Sequence, residues 1–119
     1  MPDYFVHEIK AAKLEEGAAV PHLSYVGDAY VGEKANLGCG VITANFDRAG
    51  YNRTVIERNA FIGCNTVLVA PVSVGQGAYV AAGSTITDDV PAQALGIGRS
   101  RQAVRKEWAL RNKKTEDEA

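Results

Sequence analysis

Residues 54 to 90, TVIERNAFIGCNTVLVAPVSVGQGAYVAAGSTITDDV, place an aliphatic side chain at every sixth position: Ile56, Ile62, Leu68, Val74, Val80 and Ile86. Four positions after each beat stands a small or aliphatic residue: Ala60, Thr66, Val72, Ala78, Ser84 and Val90. A helix repeats its buried face at about 3.6 residues and a half-buried strand at about two, so this period of six fits neither. It is the signature of a parallel β-helix made of hexapeptides. Three hexapeptides close one triangular coil, so residues about eighteen apart stack along the axis. The spacing predicts inward ladders of Ile56 on Val74, Ile62 on Val80 and Leu68 on Ile86. Glycine directly after a beat, as at Gly63 and Gly75, is expected to serve the tight corner, where a side chain costs backbone strain.

Toward the N-terminus the same step holds at Leu14, Val20 and Val26, slips by one residue to Val31 and resumes at Leu37. Gly27, Gly32 and Gly38 follow the last three of these beats. The expected fold is therefore all-β, a parallel β-helix over residues 1–90, left-handed by resemblance to this repeat class and against the usual right-handed crossover. Residues 43–54, TANFDRAGYNRT, break the rhythm with Asn, Asp and Gly and read as one loop expelled from a corner. After Val90-Pro91 the period is lost, and residues 91–119 read as a C-terminal arm. Val104 and Trp108 at helical spacing, with Ser100 as a cap, predict a short helix over about 100–113 before a frayed acidic tail.

Composition removes several function classes. The chain has 119 residues and a net charge of −1, enough for one core and no more. No apolar run reaches the roughly eighteen residues of a membrane span, and no secretory leader pattern is present. A cytoplasmic protein with no membrane partner is expected. Two cysteines, Cys39 and Cys64, sit at ordinary repeat positions and are expected to be free, buried thiols. With only His7 and His22, three histidines cannot meet on zinc within one chain, and no metal site is expected. Seven of the thirteen basic residues fall between Arg99 and Lys114. A nucleic-acid reading of that charge is possible in principle, but no nucleic-acid partner is expected, and most of these side chains read as a solvated helix face.

One stretch exceeds what packing explains. HLSYVGDAYVGEKANLGCGVITANFD, residues 22–47, places His22 and Tyr25 between beats that need neither. Together with TVIERNAFIGCNTVLVAPVSVGQGAYVAAGSTITDDVPAQALGIGRSRQ (residues 54–102) and KEW (residues 106–108), it closely resembles a known family. That family is the acetyltransferase half of the bacterial bifunctional enzyme N-acetylglucosamine-1-phosphate uridyltransferase/glucosamine-1-phosphate N-acetyltransferase. The resemblance covers roughly residues 5 to 108, and the uridyltransferase half has no counterpart in this sequence.

The resemblance implies an acetyl-CoA-dependent N-acetyltransferase of UDP-N-acetylglucosamine biosynthesis, a precursor route for cell wall and lipopolysaccharide, working as a homotrimer with sites between subunits. His22 matches the proton acceptor, and an imidazole of pKa about 6.5 suits that task near neutral pH. Lys10, Tyr25 and Asn36 match positions that hold the sugar phosphate. Asn45 and Phe46 match an Asn-Tyr pair at acetyl-CoA, where Asn45 is placed to polarise the thioester oxygen. Cys39, Cys64, Ala82 and Arg99 match further acetyl-CoA contacts, with both cysteines replacing other residues of the family. Tyr51 stands where the family usually has a lysine, and an upstream arginine of the family has no match here. Two alternatives follow from these departures: acetylation of another amino sugar, or a truncated non-catalytic trimer that binds coenzyme A.

Overall fold

The computed structural model describes residues 8–21 and 23–111. Short strands run in chain order as β1 Glu8–Lys10, β2 Lys13–Leu14, β3 Tyr25–Gly27, β4 Ala29–Val31, β5 Asn36–Leu37 and β6 Ile42–Ala44. After a loop come β7 Thr54–Ile56, β8 Phe61–Ile62, β9 Val67–Val69, β10 Val72–Val74, β11 Tyr79–Val80, β12 Thr85–Ile86 and β13 Leu95–Gly96. All ladder pairs are parallel and join each strand to its counterpart one coil away. Three sheets result: a five-stranded one (β1-β3-β6-β9-β12) and two of four strands (β2-β4-β7-β10 and β5-β8-β11-β13). This is the parallel β-helix that the six-residue period predicts, left-handed as the resemblance to this repeat class implies.

The three predicted ladders form in register, Ile56 with Val74, Ile62 with Val80 and Leu68 with Ile86. Val31 and Leu37 extend two of them toward the N-terminus, onto Ile56 and Ile62. Ile56, Ile62, Leu68, Val74 and Val80 are all fully buried. Each such side chain contributes roughly 1.5–3 kcal/mol by leaving water, which is what a coil of two- and three-residue strands must rely on.

The glycine rhythm has a different cause from the expected corner strain. The left-handed corner residue is the third after the beat, as at Asn59 (φ 60°), Asn65 (57°) and Gly83 (73°). The glycine directly after the beat marks where one coil lies against the next. A Cβ on Gly38 would stand 2.6 Å from the Cys64 backbone nitrogen, closer than packing allows.

The expelled loop is shorter than residues 43–54, because Thr43 and Ala44 remain in β6 and Thr54 opens β7. Thr43 occupies the inward ladder between Val26 and Leu68. Its buried hydroxyl accepts from the Gly27 N–H at 2.8 Å and donates to the Gly27 carbonyl at 3.1 Å. A hydrogen-bonded threonine replaces the aliphatic beat there, so the aliphatic pattern ends one beat before the strand does.

The β-helix also runs past Val90. β13 pairs with β11, and the Thr85 N–H donates to the Gly98 carbonyl at 2.8 Å. Gly96 takes the beat facing Val80, and a Cβ on it would lie 2.8 Å from a Val90 methyl. Val90 fills that space from the preceding position, so the last coil carries no aliphatic signal at residue 96.

In the arm, helix α1 spans only Trp108–Arg111, against the expected 100–113, with residues 112–113 outside those described. Val104, Trp108 and Leu110 are all largely exposed. Without a buried face, a helix of this length gains little from packing, and Ser100 caps nothing. Cys39 and Cys64 are free thiols as expected, yet Cys64 is exposed and Cys39 only half-buried, since both sit on a corner outside the core. Among the described residues, no helix is long and apolar enough to cross a membrane.

Candidate functional site

The loop between β6 and β7 is a hairpin pinned by Asp47. One carboxylate oxygen accepts from the N–H groups of Ala49 and Gly50, each at 3.0 Å, and the other from the Asn52 side chain at 2.9 Å. The Asn52 bond, followed by the Ala49 backbone bond, holds the Asp47 carboxyl below its ordinary range. At the base, the Asn52 N–H donates to the Asn45 carbonyl at 2.6 Å. Phe46 and Tyr51 face each other across an antiparallel bridge with ring centroids 5.1 Å apart.

Asn45 is the buried anchor of this hairpin, 7% exposed. Its amide nitrogen donates to an Asp28 carboxylate oxygen at 2.7 Å and to the Tyr25 hydroxyl at 3.1 Å. A carboxylate only accepts, which fixes the orientation of the amide. Both amide hydrogens are thereby committed inward, and the Tyr25 phenol, acting as acceptor here, keeps its own hydrogen for an outside partner. The arrangement depends on Gly27, because a Cβ there would occupy the space of the Tyr25 hydroxyl and the Asn45 amide. Lys10 pairs with Gly27 in the ladder, and its Nζ lies 4.7 Å from the centroid of the Tyr51 ring.

Four residues singled out from the sequence, Lys10, Tyr25, Asn45 and Phe46, therefore meet on one side of the β-helix. Two more join them, Asp28 and Tyr51, whose contacts the repeat pattern does not signal. Asp28 takes a left-handed corner conformation (φ 49°), which only the fold reveals.

A second group forms at the corner between the β8 and β9 sheets. Cys39 and Cys64 stand two residues past the paired Leu37 and Ile62, and Ala82 two past Val80. The Asn65 N–H donates to the Cys39 carbonyl and the Gly83 N–H to the Cys64 carbonyl, each at 2.8 Å. Arg99 closes the column by donating to the Ala82 carbonyl at 2.6 Å. A concavity of about 530 Å³ beside it is lined by Ile97, Arg99, Ser100, Arg101 and Gln102.

Asn36 belongs to neither group. It lies on the outer face of β5, paired with Phe61, whose ring stacks on Tyr79 at 4.5 Å. His22 lies outside the described residues. Among the described residues, no three His, Cys, Asp or Glu side chains gather as metal ligands.

Comparison with known proteins matches the family "Bacterial transferase hexapeptide (six repeats)" over residues 53–88. The chain is 57% identical over 104 residues to a "Bifunctional protein GlmU" of Bacillus caldolyticus, covering 87% of this chain and 90% of that one. The chain belongs to the GlmU family. A GlmU of Caldicellulosiruptor saccharolyticus is 58% identical over 106 residues, and the chain spans 23% of its length. Outside the GlmU family the likeness is one of fold. Neisseria gonorrhoeae serine acetyltransferase superposes with a TM-score of 0.68 at 22% identity, covering 86% of this chain and 42% of that one.

Proposed function

We propose that the chain transfers the acetyl group of acetyl-CoA to the 2-amino group of glucosamine-1-phosphate, giving N-acetylglucosamine-1-phosphate for UDP-N-acetylglucosamine synthesis in the cytoplasm. The carrying observation is the cluster of Lys10, Tyr25 and Asn45 beside the hairpin, in a chain of the GlmU family. Lys10 offers the acceptor's phosphate a point charge, and Tyr25 offers a directed O–H. The Cys39–Cys64–Ala82–Arg99 column receives acetyl-CoA, with Arg99 toward its phosphates and the Phe46 ring against its chain.

His22 takes a proton from the amine as its nitrogen attacks the thioester carbonyl. The tetrahedral intermediate then collapses, the carbon–sulfur bond breaks, and coenzyme A leaves as the thiolate that receives the proton. Asn45 acts first as the anchor of Tyr25, because polarising the thioester would cost it one of two internal bonds. Asn36, remote from this cluster within one chain, joins it from a neighbouring subunit of a homotrimer.

Acceptor-dependent release of the free coenzyme A thiol from acetyl-CoA, with glucosamine-1-phosphate as acceptor, tests this. His22→Ala should lose about 10²- to 10⁴-fold in rate. Equal rates would remove His22 as the base. A second acceptor is favoured by one observation, the neutral Tyr51 ring over Lys10 where the resemblance leads one to expect a second cation. A panel of amino sugars with and without phosphate separates the two.

A further inference from the structure

Lys10 is an exposed lysine on the first coil, and among the described residues it makes no ion pair. Glu8, two positions earlier on the same face of β1, does not pair with it, Asp28 is taken by Asn45, and Asp47 is taken by its own hairpin. The partner of Lys10 is instead the Tyr51 ring, 4.7 Å from Nζ. That ring is not free to choose its place. It is bridged to Phe46, whose ring packs against it at a tilt of 49°, and is carried by a hairpin that Asp47 closes with three hydrogen bonds.

An aromatic face attracts an ammonium without cancelling its charge, and it engages only the side of the ammonium turned toward it. A carboxylate in the same place would neutralise the field that a phosphate needs. A lysine with no partner would spread over many rotamers and lose more entropy on binding. We propose, resting on the acceptor assignment above, that Tyr51 is a positioning residue for the phosphate end of the acceptor. It holds the Lys10 ammonium in one place with its outward N–H groups presented to the phosphate oxygens.

The test compares Tyr51→Ala and Tyr51→Phe with wild type, using glucosamine-1-phosphate and unphosphorylated glucosamine as acceptors. Tyr51→Ala should raise KM for the phosphorylated acceptor about two- to fivefold with kcat unchanged, the range expected of an exposed cation–ring contact. Tyr51→Phe keeps the ring face and should restore the wild-type KM, and KM for glucosamine should not move in either variant. The side-chain methylene resonances of Lys10 should be shifted upfield by the ring in wild type and Tyr51→Phe and return to ordinary lysine values in Tyr51→Ala. In wild type they should move on titration with inorganic phosphate. These resonances are read without turnover, so a protein inactive on glucosamine-1-phosphate would refute the acceptor and leave this inference testable. Unchanged KM in Tyr51→Ala, equal losses on both acceptors, a Tyr51→Phe that behaves as Tyr51→Ala, or Lys10 resonances indifferent to Tyr51 or to phosphate would each overturn it.

Discussion

The amide nitrogen of Asn45 and a carboxylate oxygen of Asp28 lie 2.7 Å apart, joining the root of the hairpin to the corner between β3 and β4. The bond spans 17 residues of sequence and carries charge on one side, which makes it stronger than a neutral hydrogen bond. Asp28→Ala removes the acceptor and leaves a buried donor unpaired, in a backbone conformation that suits Asp or Asn better than Ala. The expected cost is about 1–3 kcal/mol in chemical denaturation, with most of it recovered by Asp28→Asn. A double-mutant cycle with Asn45→Ala should show a coupling of about 0.5–3 kcal/mol. Additive effects would mean that the two side chains do not act together.

Thr54 offers the opposite case. Its hydroxyl is buried between coils and has no hydrogen-bond partner among the described residues. Thr54→Val keeps the shape and removes the unpaired oxygen, so it should stabilise the fold by about 1 kcal/mol. Thermal unfolding should shift upward by a few degrees for a chain of this size. A lower melting temperature would show that the hydroxyl is paired in solution.

The hairpin should respond to acid through Asp47. The folded state holds this carboxyl below its ordinary value, so the unfolded hairpin binds the proton more readily. Its contribution is complete above the ordinary carboxylate range and is lost as the pH falls toward the depressed folded value. Near-ultraviolet dichroism or the ring resonances of Phe46 and Tyr51 should report loosening in that window. Asp47→Asn should loosen the hairpin at neutral pH and flatten the profile relative to wild type. Parallel profiles for the two proteins would place the acid response elsewhere.

The β-helix is legible because burial at the beats demands aliphatic side chains, and a regular coil turns one of them inward every six residues, on each of its three faces in turn. It becomes illegible where chemistry substitutes for bulk. Thr43 fills a beat by hydrogen bonding to Gly27, and Gly96 fills one by yielding its space to Val90. Those two positions account for the misplaced start of the loop and the β-helix end set too early. The site divides in the same way. Cys39, Cys64, Ala82 and Arg99 share one corner of successive coils, but the period relates only Cys64 to Ala82, eighteen apart. The hairpin intervenes before Cys64, Arg99 falls past the last aliphatic beat, and the family resemblance is what singled them out. Tyr51 reaches Lys10 only through the folded hairpin, a contact that no spacing encodes.

The hairpin leaves and re-enters the coil without disturbing it. The Ala44 carbonyl accepts from Ala70 N–H and Thr54 N–H donates to the Asp28 carbonyl, both at 3.1 Å, so the strands on either side keep their partners. The structure thus divides the chain's labour. One part of the sequence is answerable to the lattice of coils, and a short excursion between residues 44 and 54 is tied to it at its two roots, through Asn45 and through the Arg53 carbonyl, which accepts from the Val72 N–H at 3.4 Å. Among the described residues, 46 to 52 make no backbone hydrogen bond to the coils, so substitutions there that spare Asp47 and Asn52 alter what the hairpin presents without renegotiating the stability of the scaffold.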